Sequence, residues 1–303
     1  MDIIEKDDPY ISIWNYLFDL GCQTYKDANS ITDFYEKYEA QVSTFEKWLY
    51  LSWGNEIYEL LIEKTKLKSN LSIIKALKKA KQLNANVLIS DGFSLREAII
   101  IANKLKDKLK DQRKIIIELG YAYPPTITSK ALEIQLGKHS FNEIIDEGSI
   151  PYINNLWSVR YIEPSKIGGT IKANNTIFIT YLPDIIFHEA VIKRGRRRKA
   201  ISEDVIVNQL SNVIYKLSDL QPLVVTGDHG YLYLGVSPYE YMWESPVESP
   251  RYGDIVNDGR CYITQIDNIA VVSGRYHLPS TDKLITHGGI SLMESLVPLL
   301  IIH

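Results

Sequence analysis

Cysteine is nearly absent. Cys22 and Cys261 are the only 2 in 303 residues, far apart and outside any Cys-x-x-Cys spacing. That argues against a disulfide framework and against a thiolate zinc site. An excess of either charge is lacking too, with 34 Lys and Arg against 37 Asp and Glu and a formal net charge of -3. Whole-chain charge therefore supplies no attraction to nucleic acid or acidic membrane, and any such binding needs a local patch. No apolar run approaches the ~20 residues of a membrane span. The acidic start, Met1-Asp2-Ile3-Ile4-Glu5-Lys6-Asp7-Asp8, lacks the basic-then-apolar order of a signal peptide. Internal repeats and low-complexity segments are missing as well. The expectation is a cytoplasmic globular protein, which 45% apolar and 23% charged residues suit. The length allows one large domain or two modest ones.

What is present changes character along the chain. Residues 1 to about 80 carry helix signals. Ser43-Thr44-Phe45-Glu46 has the form of a capping box, followed by Trp48, Leu49, Leu51, Trp53, Ile57, Leu60 and Leu61 at near-helical spacing. Ser69 or Asn70 is placed to cap a further helix, with Leu71, Ile74, Leu77 and Leu83 on one side and Lys75, Lys78, Lys79 and Lys81 on the other. The aromatics are expected in the core and the lysines in solvent. From Val87 onward, short β-branched runs alternate with helical stretches. The strands expected are Val87 to Ile89, Ile115 to Ile117, Ile177 to Ile179 and Leu223 to Val225, with a helix opened by Ser202-Glu203-Asp204 before the last. Such alternation predicts an α/β fold with a largely parallel central sheet between helices. Shorter strands are expected at Tyr231 to Leu234, Tyr262 to Thr264 and Ile269 to Val272, then a short helix from Ser291 to Leu296 and the apolar run Val297 to Ile302.

The chemistry concentrates at the ends of these runs. Val224-Val225-Thr226 leads into Gly227-Asp228-His229-Gly230, an adjacent acid and imidazole at the carboxyl end of a buried strand, where open α/β sheets keep their ligand sites. Asp91 follows Val87 to Ile89. Asp184 and His188, four residues apart, share a face if a helix starts near 184. His287 precedes Gly288 and Gly289. Each is weak evidence alone, because Asp-Gly is common in turns and Asp-x-x-x-His common as a helix pair. Together they present mixed carboxylates and imidazoles, which suit Zn²⁺ or Mn²⁺ better than Ca²⁺. Six ligands are about right for two ions, and two ions roughly 4 Å apart clamp the attacking and leaving oxygens of a phosphoryl transfer. A nucleophile is at hand in Pro124-Pro125-Thr126-Ile127-Thr128-Ser129, where a hydroxyl and free amides meet at an expected helix N-terminus. Thr128 is preferred there, with Thr126 as the other choice.

Five segments in this order are similar to the motifs of PglZ-domain proteins of the alkaline phosphatase superfamily. They are Asp91-Gly92-Phe93-Ser94-Leu95-Arg96-Glu97, Pro125-Thr126-Ile127-Thr128, Asp184-Ile185-Ile186-Phe187-His188, Gly227-Asp228-His229-Gly230 and His287-Gly288-Gly289-Ile290-Ser291-Leu292-Met293-Glu294. The resemblance spans about 85 to 303, leaving 1 to 80 as a helical N-terminal region suited to capping the core or docking a protein partner. It implies an alkaline phosphatase-like α/β/α sandwich with two divalent metal ions, zinc foremost and manganese as an option. Asp184, His188 and His287 would hold one ion, and Asp91, Asp228, His229 and the Thr128 oxygen the other. Thr128 would form the covalent phosphoryl or nucleotidyl intermediate.

One basic run, Lys193-Arg194-Gly195-Arg196-Arg197-Arg198-Lys199, follows the His188 segment. Arg196, Arg197 and Arg198 suit a polyanionic substrate such as an oligonucleotide, because clustered arginines bind phosphates. The leading expectation is thus a metal-dependent phosphodiesterase acting on nucleotides or oligonucleotides. A phosphomonoesterase or mutase of the same chemistry is the alternative, as is a low-activity scaffold subunit of a phage-defence complex.

Overall fold

The computed structural model describes residues 8–109, 113–152, 155–169, 171, 173–189, 192–193, 196–197, 202–235, 242–243, 251–253, 262–276 and 284–303. The chain begins with helices α1 (Pro9–Asp27), α2 (Ile31–Trp53), α3 (Glu56–Lys66) and α4 (Ser72–Leu83). These are followed by β1 (Asn86–Ser90), α5 (Leu95–Leu109), β2 (Ile115–Tyr121), α6 (Thr128–Leu136), α7 (Phe141–Glu147), β3 (Ser149–Tyr152), β4 (Asn155–Tyr161) and β5 (Thr176–Thr180). Then come α8 (Asp184–Glu189), the two-residue strands β6 (Ile192–Lys193) and β7 (Arg196–Arg197), α9 (Glu203–Ser218) and β8 (Leu223–Thr226). The remaining elements are β9 (Leu232–Tyr233), β10 (Tyr262–Ile266), β11 (Ile269–Ser273), β12 (Ile285–Thr286), α10 (Leu292–Ser295) and β13 (Leu296–Ile302).

The expected α/β architecture is present, organised on a seven-stranded sheet of order β2-β13-β8-β1-β5-β4-β3. Its centre is parallel: β8, β1, β5 and β4 run together. β13 is antiparallel to both neighbours, which returns β2 to the common direction, and β3 is an antiparallel edge. β1, β5, β8 and β13 are buried along their whole length, as apolar runs covered on both faces require. Side chains alternate between the two faces. Leu88, Phe178, Val225 and Leu300 pack with α1, α2, α5 and α9, whereas Val87, Ile89, Ile177, Val224 and Leu299 pack with α4, α6 and α7. The N-terminal helices are therefore built into both apolar layers of the sheet, α1 to α3 on one side and α4 on the other.

Several local expectations fail for physical reasons. Ser43 starts no helix, because α2 runs unbroken from Ile31. Its N-cap is Ser30, whose hydroxyl accepts from the Asp33 amide at 3.1 Å, while the Asp33 carboxylate accepts from the Asn29 amide at 2.7 Å. We expect Ser30→Ala to lower stability by about 1 kcal/mol in urea unfolding, the usual size of an N-cap hydroxyl; an unchanged midpoint would remove Ser30 from that role. Trp48 and Leu51 are not core residues, at 44% and 73% exposed, because they lie on the outer side of α2. Neither Ser69 nor Asn70 caps α4, since Leu71 occupies that position. Lys75 is not a solvated lysine either: its ammonium donates to the Leu119 carbonyl at 2.5 Å. The β3–β4 hairpin is an addition, its residues too mixed in polarity to announce strands. Cys22 is a free thiol, and Cys261 lies outside the described residues. Among the described residues no helix is long and apolar enough to cross a membrane.

Candidate metal centre

The parallel strands all deliver their carboxyl ends to one edge of the sheet. Asp91 leaves β1 with its amide on the Thr180 carbonyl at 3.0 Å, and its own carbonyl receives the Asp184 amide at 3.2 Å, so the ends of β1 and β5 are tied together. Asp184 opens α8, which places His188 one turn on and on the same face, as the spacing requires. Asp228 and His229 follow β8. Thr128 is the first residue of α6, reached from β2 through residues 122–127. His287 reaches the same edge because β13 is reversed: the residues preceding it lie where the parallel strands end. β12 then fixes that approach by pairing antiparallel with β9, just beyond His229.

The glycines of Gly227-Asp228-His229-Gly230 serve close packing rather than a left-handed turn, since neither has positive φ. A Cβ on Gly227 would lie 2.7 Å from the Phe93 carbonyl oxygen, and one on Gly230 would collide with the Met293 carbonyl.

Two ligand clusters result. In one, His188 Nε2 is 3.3 Å from Asp184 Oδ2, His287 Nε2 is 3.6 Å from Asp184 Oδ1, and the two Nε2 atoms are 2.9 Å apart. In the other, His229 Nε2 is 3.5 Å from Asp228 Oδ2 and 3.8 Å from Asp91 Oδ1. Within each trio the donor atoms lie within 4.8 Å of one another. The clusters adjoin: the His229 and His287 rings stack with centroids 4.4 Å apart. Thr128 Oγ1 borders the second cluster, 3.3 Å from Asp91 Oδ1 and 3.2 Å from His229 Nε2. The other candidate, Thr126, is fully buried with its hydroxyl committed to Gly288 and Gly289.

The hydrogen bonding leaves this site suited to cations. His229 Nδ1 faces the Gly230 carbonyl at 2.9 Å and His287 Nδ1 faces the Thr126 carbonyl at 3.1 Å. A carbonyl only accepts, so each Nδ1 carries the proton and each Nε2 turns a lone pair toward the carboxylates. That is the second-shell pattern of metal-binding histidines. Asp184 Oδ1 and Asp228 Oδ2, one in each cluster, are buried without a hydrogen-bond partner. Such oxygens require a cation or a donor. The only side-chain ion pairs of Asp91, Asp184 and Asp228 among the described residues are with imidazoles. Burial, with Asp228 and Asp184 alongside, pushes the Asp91 carboxyl well above the usual range. For Asp184 burial acts upward too, but the hydrogen bond from His188 and the nearby imidazoles outweigh it and lower the group. Burial, assisted by His229, pulls His287 down to about 3, which keeps it in the neutral form that binds metal. The donor set of two carboxylates with one imidazole, or the reverse, fits Zn²⁺ or Mn²⁺ in each cluster.

Around the clusters lies a buried ionic framework that the sequence reading missed. Glu39 of α2 pairs with Arg96 and, at 2.5 Å, with Arg275, which also donates to Glu46 at 2.6 Å. Glu46 accepts from the Leu292 amide at 2.9 Å, and Arg96 donates to the Tyr231 carbonyl at 2.5 Å. Arg251 pairs with Glu294. Glu39 and Glu46 are seven residues apart, two turns on one helix face, and that spacing was the available signal. Arg96 thus braces the chain after Gly230. The basic run is placed only by its backbone: Arg196 and Arg197 pair antiparallel with Lys193 and Ile192 shortly after α8, and Arg198 lies outside the described residues. No protein-family model matches the chain, and no curated protein matches it.

Proposed function

We propose that this chain is a metal-dependent phosphoesterase of the PglZ type, with the α/β/α sandwich of the alkaline phosphatase superfamily. The observation that carries the reading is the part-buried hydroxyl of Thr128 at the border of one of two adjoining carboxylate–imidazole clusters, each of which holds a buried carboxylate oxygen without a partner. Asp184, His188 and His287 would hold one divalent ion, and Asp91, Asp228 and His229 the other. The ions supply Lewis-acid stabilisation of charge on the phosphoryl oxygens. The chain supplies the nucleophile and its placement. Thr128 Oγ1 attacks phosphorus and the ester's alcohol leaves, giving a phosphoryl-threonine that water then hydrolyses. Asp91 Oδ1, 3.3 Å from the hydroxyl, is the acceptor its proton would go to, while His229 Nε2, 3.2 Å away, would have its one lone pair on the ion and only sets the oxygen beside it. Ile127, at the N-cap of α6, has no side-chain acceptor to occupy the first-turn amides, which are thereby left for an anion.

A phosphodiester of a nucleotide or oligonucleotide is the favoured substrate, because the basic hairpin β6–β7 follows directly on the helix that carries Asp184 and His188. The test is metal content by mass spectrometry, together with hydrolysis of bis-p-nitrophenyl and mono-p-nitrophenyl phosphate in added Zn²⁺ or Mn²⁺. Two equivalents of metal and diester turnover that disappears in Asp228→Ala support the proposal. Turnover of the monoester alone moves the reading to a phosphatase. A reconstituted chain inactive on both esters moves it to a scaffold.

A further inference from the structure

The loop carrying His287 is held by one residue of the nucleophile's own loop. The Thr126 hydroxyl donates to the Gly289 carbonyl at 2.9 Å and accepts from the Gly288 amide at 3.1 Å, and the Thr126 carbonyl accepts from His287 Nδ1 at 3.1 Å. Three consecutive residues are thus bonded to a single threonine lying two residues before Thr128. The far side of the loop is closed as well. Glu294 accepts from the Gly289 amide at 2.9 Å and from Arg251 Nε at 2.9 Å, and Arg251 donates onward to the Gly274 carbonyl at 2.9 Å. No side chain fits between these walls: a Cβ on Gly289 would meet the Arg251 guanidinium, and one on Gly288 the ring of Tyr252 at 2.5 Å.

We propose that Thr126 is a positioning residue that joins the nucleophile loop to the His287 loop, so that the Asp184–His188–His287 cluster and Thr128 move as one hydrogen-bonded unit. The inference rests on the metal-site reading above and goes beyond it by naming the part that sets one cluster's affinity. Removing the hydroxyl leaves the Gly288 amide and Gly289 carbonyl without that partner and frees the backbone that aims His287 Nε2. The cluster of Asp91, Asp228 and His229 makes none of these bonds and is not expected to respond. The Thr126 carbonyl on His287 Nδ1 is backbone and survives the loss of the hydroxyl, so the effect on affinity is expected to stay below the 10- to 100-fold that follows loss of a ligand's own partner.

The experiment compares wild type, Thr126→Val, Thr126→Ala and Thr126→Ser by calorimetric Zn²⁺ titration well below the unfolding temperature, with hydrogen exchange at Gly288 and Gly289. We expect two binding events in wild type. One weakens measurably, by up to about 10-fold, in the Val and Ala variants while the other is unchanged, the full loss of a ligand's own partner setting the upper scale. Thr126→Ser restores both events. Amide protection at Gly288 is lost with Val and Ala and kept with Ser. Both affinities unchanged in every folded variant lacking the hydroxyl, or a Ser variant as impaired as Val, overturns the inference while leaving the enzyme reading intact. A wild-type chain that takes up no divalent ion overturns both.

Discussion

We expect Thr128→Ala to lower diester turnover by at least about 10³-fold in kcat, the scale on which loss of a covalent nucleophile is felt. Both ions are expected to stay bound. The side chain is lost from the first position of α6, where alanine is a good helix former, so the fold bears little cost. None of the six ligand side chains is touched. The separation of effects is the informative part: a nucleophile variant keeps its metal and loses its chemistry, while a ligand variant such as Asp228→Ala loses both. Thr128→Ser retains a hydroxyl between Asp91 and His229 and is expected to keep measurable activity. Undiminished turnover in Thr128→Ala would eliminate this residue from the reaction. Rapid quench with a slow substrate gives a second view, because a phosphorylated Thr128 is detectable by peptide mass and must be absent from the Ala variant.

Glu39→Ala costs roughly 4 kcal/mol of folding stability, in the range seen when one partner of a buried ion pair is removed. The carboxylate is fully buried between two fully buried arginines, and its removal strips Arg96 of its carboxylate partner. Arg275 keeps Glu46, and Arg96 keeps the Tyr231 carbonyl and its position 4.4 Å from the Tyr231 ring centroid. These remaining contacts are why the chain is expected to survive in destabilised form. The loss corresponds to a melting temperature lower by about 6 °C for a chain of this size. A drop of under about 2 °C would show that solvent or side-chain movement replaces the pair. Glu39→Gln, which keeps an acceptor without the charge, is expected to fall between wild type and Ala.

The two substitutions mark what was legible in the sequence and what was not. The site residues stood out because each follows an apolar run at a glycine, a proline or a helix start, and such junctions deliver side chains to the open end of a sheet. Thr128, Asp184, His188, Asp228, His229 and His287 are local signals of that kind. Thr128 is preferred over Thr126 on local grounds, but the partners that commit the Thr126 hydroxyl lie more than 160 residues away in the loop after His287 and have no local signal. The role of Glu39 and Glu46 is hidden for the same reason, since their seven-residue spacing shows a shared helix face and nothing of what covers it. On α2 they resemble ordinary helix-surface acids, and only the return of Arg275 from the far end of the chain buries them. The Ser43 box misled because a capping pattern inside a longer amphipathic helix looks the same as one at its start. The reversal of β13 had no signature either, since a continuous apolar strand reads alike in both directions.

That reversal makes the placement of Thr128 and of His287 depend on one strand. Within the sheet β2 pairs only with β13, and β13 fills the gap between β2 and β8. Until residues 296–302 are inserted, the strand from which the Thr128 loop hangs has no neighbour in the sheet, and the loop bearing His287 has no fixed end. A chain in which β13 is displaced therefore loses, on the proposed reading, the placement of the nucleophile and of one ligand together.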